Sequence, residues 1–223
     1  MNSIDSNNKI FVAGSKGMVG QAICRALKRR GFTIKDKNLL VTSKKELDFT
    51  QKGEVERWFG DKKPDIVIVA AAKVGGILAN NNKPVDFLLE NLRIQNNLIE
   101  ASWKYNAKRL LFLGSSCIYP KLSMQPIKEE YLLTDALEST NQWYAIAKIA
   151  GIKLCEAYTK QYGLNAVSIM PTNLYGPNDN YNLHSSHVIA SLIRKFYDAK
   201  QNNSSSVTCW GSGSPLREFL HVD

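Results

Sequence analysis

The stretch from Lys9 to Gly31 constrains this chain more than any other. Lys9–Gly14 (KIFVAG) is a short β-branched and aromatic run that ends in glycine. It leads into Gly14-Ser15-Lys16-Gly17-Met18-Val19-Gly20, a G-x-x-G-x-x-G turn. Met18–Arg30 then has helical periodicity, with Val19, Ile23, Ala26 and Leu27 on one face and Gly31 as the stop. A strand, a glycine turn and a helix in this order bring bare N–H groups to a helix N-terminus. A pyrophosphate meets partial positive charge there, with no Cβ in its way, and the third glycine lets helix and strand pack closely. A glycine triplet alone also fits a plain tight turn. Its place after the first strand and at the opening of the first helix is the context a dinucleotide site requires.

The rest of the chain continues the alternation. Strands are expected at Asn38–Thr42, Asp65–Ala72, Arg109–Ser115 and Asn165–Met170, with a sixth short one at Val207–Trp210. Helices are expected at Glu54–Phe59, Val85–Tyr105, Asn141–Tyr162 and Ser186–Lys200. Runs as continuously apolar as DIVIVAAA suit strands covered on both faces. The fold class is therefore α/β, a Rossmann-like doubly wound parallel sheet. The organisation expected is an NADP-binding domain over 1–172 and the start of a substrate-binding domain over 173–223. The last stretch, Trp210–Asp223, begins a new apolar element and then stops, which reads as an incomplete second domain.

Composition narrows the function classes. The net charge is +9, but Lys28–Arg30, Lys44–Lys45, Lys62–Lys63 and Arg194–Lys195 are scattered pairs and triplets without interleaved aromatics. They fit helix ends and small phosphorylated ligands better than nucleic acid. No apolar run approaches the roughly 20 residues of a membrane span. Met1–Lys9 lacks the apolar core of a signal peptide. Cys24, Cys117, Cys155 and Cys209 have no metal-ligand spacing and read as reduced thiols, so no metal is expected and the chain is assigned to the cytoplasm.

About twenty residues beyond the glycine turn, an NAD site places an acidic side chain on the ribose 2′-OH. Here the second strand ends in Thr42-Ser43-Lys44-Lys45, with no Asp or Glu between Leu39 and Lys45. With Lys16 in the turn, this favours a 2′-phosphate and hence NADP(H). The competing reading is a solvated basic loop.

Tyr144 and Lys148 stand four apart on the fourth helical segment, Asn141–Tyr162, and share one face. A lysine cation beside a phenol is expected to lower the tyrosine pKa from about 10, equipping it as a general acid at a carbonyl. Y-x-x-x-K is frequent by chance. Ser115-Ser116-Cys117 at the carboxyl end of strand four gives it weight, because ligands of such sheets bind there.

These motifs resemble the extended short-chain dehydrogenase/reductases. Ala70–Ile77 (AAAKVGGI), Leu111–Lys121 (LFLGSSCIYPK), Tyr144–Cys155 (YAIAKIAGIKLC) and Met170–Pro177 (MPTNLYGP) are similar, more narrowly, to the GDP-L-fucose synthases. The resemblance runs from about Lys9 to Asp223. It implies epimerisation at C3 and C5 of a GDP-4-keto-6-deoxy-mannose, followed by reduction at C4 with NADPH. Ser115, Cys117, Tyr144, Lys148 and His187 are the implied catalytic set. Cys117 and His187 exchange ring protons as groups able to titrate near neutral pH, and Tyr144 with Ser115 holds O4.

By the same resemblance the cofactor lies against Gly14, Ser15, Lys16, Gly17, Met18, Val19 and Gly20, then Ser43 and Lys44. It continues past Ala71, Ala72, Leu113, Gly114, Ser115 and Ser116 to Lys148, Pro171, Thr172, Asn173, Leu174 and His187. Lys195, Trp210 and Arg217 hold the nucleotide sugar, Arg217 by pairing with phosphate. A homodimer through the long helices is implied once the C-terminal part is supplied, since family members pass straight through the Arg217–Asp223 motif.

Duller readings stay open at single positions. Cys117 fits a small core residue, His187 a helix cap, Lys195 a solvated charge and Trp210 core packing. Other nucleotide-sugar epimerases or dehydratases, or an inactive NADP-binding member, are the rival functions.

Overall fold

The computed structural model describes residues 4–223. Its main sheet has five parallel strands: β1 (Ile10–Ala13), β2 (Leu39–Val41), β3 (Ile66–Val69), β4 (Arg109–Leu113) and β5 (Ala166–Ile169), in the order β2-β1-β3-β4-β5. The connecting helices are α1 (Met18–Arg29), α2 (Lys52–Lys62), α3 (Ile77–Asn82), α4 (Asn91–Lys104), α5 (Gln142–Tyr162) and α6 (Val188–Gln201). One π-helical turn, Asp86–Glu90, leads into α4.

Every residue of β1 and β3 is buried, as expected for strands with helices on both faces. On one face Phe11, Ala13, Val67 and Val69 pack with Phe59 of α2, Leu98 and Ile99 of α4 and Ile152 of α5. On the other, Ile10, Val12, Ile66 and Ile68 pack with Leu27 of α1 and with Phe32. The five main strands and the long helices thus match the sequence reading.

The end of the chain differs from it. Val207–Trp210 forms no strand. Its Thr208 carbonyl instead accepts a hydrogen bond from Lys195 Nζ at 3.0 Å. A separate parallel pair forms between β6 (Asn173–Tyr175) and β7 (Phe219–His221). Thr172 Oγ1 and Asn173 Nδ2 both donate to Glu218 O, and Arg25 of α1 forms an ion pair with Asp223. The carboxyl ends of β1, β3 and β4 open on the same side as the glycine turn, and this edge carries the site.

Candidate active site

The glycine turn is a fitted cradle. Gly14 has φ +88°, a conformation that favours glycine, and a Cβ there would stand 2.6 Å from the Ala71 nitrogen. A Cβ on Gly20 would stand 2.1 Å from the Gly14 carbonyl oxygen. The N-cap of α1 is Gly17, with no side-chain cap and no acidic residue in the first turn. Its first N–H groups are therefore free for an anion. Ser15 is buried, and its hydroxyl donates to Thr42 O at 3.3 Å, tying the turn to the end of β2. The site suits a dinucleotide pyrophosphate by shape and by charge.

The end of β2 is less purely basic than the sequence suggested. Lys44 is exposed and lies 3.7 Å from Glu90 of the π turn. Glu46, the residue after Lys45, folds back to accept the Ser43 N–H at 2.7 Å. That bond, aided by the charge of Lys16, holds the Glu46 carboxyl below its usual range. Of the two cations available to a phosphate here, Lys44 already faces Glu90, and Lys16 lies near enough to Glu46 to influence its titration.

Ser115, Cys117, Tyr144 and Lys148 come together where β4 ends. Ser115 opens a short 3₁₀ turn, Ser116–Ile118. Cys117 Sγ donates to Ser115 Oγ at 3.2 Å, and Ser115 lies close enough to the Tyr144 phenol to influence its titration. Lys148 is buried, donates from Nζ to Leu113 O at 2.7 Å, and lies 5.7 Å from the centroid of the Tyr144 ring.

Two pKa expectations are corrected by this geometry. Burial pushes the Tyr144 phenol above its ordinary value, with a further push from Cys117 that Ser115 only partly offsets. Lys148 does not lower it. Its ammonium donates to the Leu113 carbonyl, and burial brings its own pKa down to about 8. Cys117 is likewise pushed up, mainly by burial, despite the Ser115 bond and the nearby Lys148. Tyr144 and Cys117 therefore rest as proton donors, not as a phenolate and a thiolate.

The remaining residues are arranged less tightly. His187 is exposed at the N-cap of α6, and its side chain makes no cap hydrogen bond. Lys195 Nζ lies 4.7 Å over the Trp210 ring, and that ring is 71% exposed, so Trp210 does not pack in the core. Arg217 is exposed and donates to Leu216 O. Leu113 and Gly114 are buried beside the reactive cluster, where Gly114 N–H donates to Ile169 O. Asn173 and Leu174 belong to β6. A separate cavity of about 600 Å³ lies outside this cluster and is lined by Tyr119, Glu129, Lys153, Glu156 and Met170, among others.

Sequence reasoning missed three features: Glu46, Glu90 and the contact between Gly76 and Ser185. The paired glycines Gly75-Gly76 in the AAAKVGGI stretch were the available signal for the third.

The sequence profile of the NAD dependent epimerase/dehydratase family matches residues 10–223. GDP-L-fucose synthase 1 of Arabidopsis thaliana is 58% identical over 219 residues, covering 98% of this chain and 67% of that protein. The chain belongs to this family, in its GDP-L-fucose synthase group. GDP-L-fucose synthase of Escherichia coli (strain K12) is 52% identical over 98% of the chain and 67% of its own length. The chain thus spans about two thirds of the length of the curated relatives it matches.

Among solved structures, a GDP-L-fucose synthetase from Naegleria fowleri bound to NADP superposes with TM-score 0.87. It is 30% identical, over 99% of this chain and 71% of that one. A GDP-mannoheptose C4 reductase from Campylobacter jejuni with NADP bound gives TM-score 0.88 at 36% identity, over 99% and 73%.

Proposed function

We propose that the chain carries the cofactor site and reactive centre of an NADPH-dependent enzyme. It epimerises C3 and C5 of GDP-4-keto-6-deoxy-D-mannose and reduces C4, giving GDP-L-fucose. The observation that carries this reading is the convergence of Ser115, Cys117, Tyr144 and Lys148 at the end of β4, on the edge where Gly14 and Gly20 form a cradle. The relatives named GDP-L-fucose synthase support the choice of substrate.

The cradle, Lys16, Lys44 and the free start of α1 hold NADP(H), which when bound supplies the hydride for C4. Tyr144 and Ser115 donate hydrogen bonds to O4 and stabilise the charge that develops there as a ring proton leaves. Tyr144 then delivers its proton to O4 on reduction. Its raised pKa suits this step, because the phenol keeps its proton until the oxyanion forms. Cys117, a protonated thiol, returns a proton to the ring, and His187 acts as its opposite from the N-terminus of α6. Lys195 and Trp210, already in contact, meet the GDP-sugar together with Arg217. We assign residues 1–172 to the cofactor domain and 173–223 to the beginning of the substrate domain. The separate β6–β7 pair supports that division. A cytoplasmic homodimer through α4 and α5 completes the reading. No helix among the described residues is long and apolar enough to cross a membrane.

The test is incubation with GDP-4-keto-6-deoxy-D-mannose and NADPH in D₂O, of this chain and of the chain joined to the C-terminal third of a relative. The expected result is NADPH oxidation with deuterium at C3 and C5 in at least the extended form. Oxidation without exchange would make the protein a simple C4 reductase, and no oxidation in either form would overturn the reading.

A further inference from the structure

His187 stands where α6 begins, yet its side chain does nothing to hold it there. Its backbone is held from another quarter of the fold, the loop that follows β3. Gly76 N–H donates to Ser185 O at 3.0 Å. A Cβ on Gly76 would stand 2.6 Å from the Ser186 carbonyl oxygen, a backbone atom with little freedom to swing aside. Ser185 and Ser186 N–H both donate to Asn182 O, at 3.2 and 2.9 Å, closing the turn that delivers His187. The His187 carbonyl then accepts Ser191 N–H at 2.9 Å as the helix starts.

The loop on the other side of this contact is itself fixed. Asn80 is 4% exposed, and its Nδ2 donates to Gly75 O at 2.7 Å and Gly76 O at 3.2 Å. Asn80 Oδ1 and Ser186 Oγ are buried without a hydrogen-bond partner. The contact between loop and turn therefore rests on the Gly76–Ser185 bond and on close backbone approach. Gly76 has φ −65°, which any residue adopts. Glycine at this position answers to the approach of Ser186 and not to the dihedral.

We propose that Gly76 is a positioning residue for His187: its Cβ-free contact with Ser185 and Ser186, braced by Asn80, sets the imidazole against the sugar ring. The proposal rests on the reading of His187 as a proton-exchanging group. Because φ at Gly76 suits alanine, Gly76→Ala perturbs the contact without straining its own backbone. It moves the turn by a fraction of an ångström to an ångström, a scale at which proton transfer rates respond strongly.

The test uses Gly76→Ala, His187→Gln and the double variant, in the form active in the D₂O exchange assay. Gly76→Ala is expected to lower deuterium incorporation at C3 and C5 by roughly 10- to 100-fold, while NADPH affinity stays within about twofold because the glycine cradle is untouched. The double variant is expected to be no slower than His187→Gln alone, since Gly76 acts only through His187. Additive losses, or normal exchange in Gly76→Ala while His187→Gln is impaired, overturn the positioning role and leave the His187 reading standing. Full exchange in His187→Gln overturns both. Should Gly76→Ala fail to fold, Asn80→Ala loosens the brace without inserting an atom. It carries the same expectation at roughly fivefold, and unchanged exchange there sinks the proposal.

Discussion

Helices α5 and α6 both lead away from the site, and they are anchored in opposite ways. α5 buries Ala145, Ala147, Lys148, Ile149, Gly151, Ile152 and Cys155. α6 buries only Ala190 and leaves Val188, Ile193, Phe196 and Tyr197 exposed. The same contrast separates the sheets, since β1 and β3 are wholly buried and β7 is wholly exposed. Side chains offered by the first part are held by a close-packed core, where a displaced methylene is felt. Those offered by residues 173–223 are held by discrete bonds: Thr172 and Asn173 to Glu218, Lys195 to Thr208, Gly76 to Ser185 and Arg25 to Asp223. Of the groups proposed to move protons, Tyr144 and Cys117 sit in the first part and His187 in the second. The groups proposed to grasp the nucleotide sugar sit in the second.

The sharpest way to break this contrast is a matched pair of truncations. Phe59, fully buried against Phe11, should cost about 3–5 kcal/mol on change to alanine. Phe196, 56% exposed on α6, should cost within about 0.5 kcal/mol. Urea unfolding monitored by circular dichroism checks both, and comparable losses would erase the distinction.

A smaller effect should appear in the pH dependence of stability. Lys148 has its folded pKa near 8, against 10.5 for the free side chain. Above pH 8 the unfolded chain keeps the proton that the folded chain releases, so this group makes stability rise with pH. From pH 9 the buried thiols oppose it, because Cys117 and Cys155 are held above their ordinary 9.0. Between pH 8 and 9 the urea midpoint of Lys148→Met should therefore climb less than that of the parent chain. Equal slopes would place Lys148 in a more watery setting than its hydrogen bond to Leu113 indicates.

The smallest effect is expected at Arg25. The Arg25–Asp223 pair is about one third exposed on each side, and Arg25→Ala should cost under about 1 kcal/mol overall. Its signature is local: amide exchange should quicken at residues 219–222 and remain unchanged in β1 and β3. Uniform protection loss would show that the last strand is coupled to the core after all.

The first part of the fold was legible because burial on both faces writes itself as continuous apolar runs and helical stripes. The second part was not. Val207–Trp210 has the β-branched and aromatic residues of a strand but finds no partner strand, its Thr208 carbonyl going to Lys195. The ILANNN of α3 lacks a clear apolar stripe. The pairing of β6 with β7 joins residues 46 apart in sequence, as in Asn173↔Phe219, and nothing local announces it. At the site, the four-residue spacing brought Lys148 near Tyr144 but could not reveal that Leu113, 35 residues away, takes the ammonium's hydrogen bond. The sign of the tyrosine's pKa shift follows from the burial of its phenol and from Cys117 beside it, which no spacing in the sequence reveals.

The fit of Gly14 against Ala71 also bears on redesign. It locks the backbone of the cofactor turn to the end of a neighbouring strand, 57 positions along the chain, so that turn offers an engineer almost no room to reshape. Any attempt to retune the proposed cofactor preference is left with side chains: Lys16 within the turn, and Lys44, Glu46 and Glu90 at its margin. None of the four takes part in the close approach of Gly14 to Ala71.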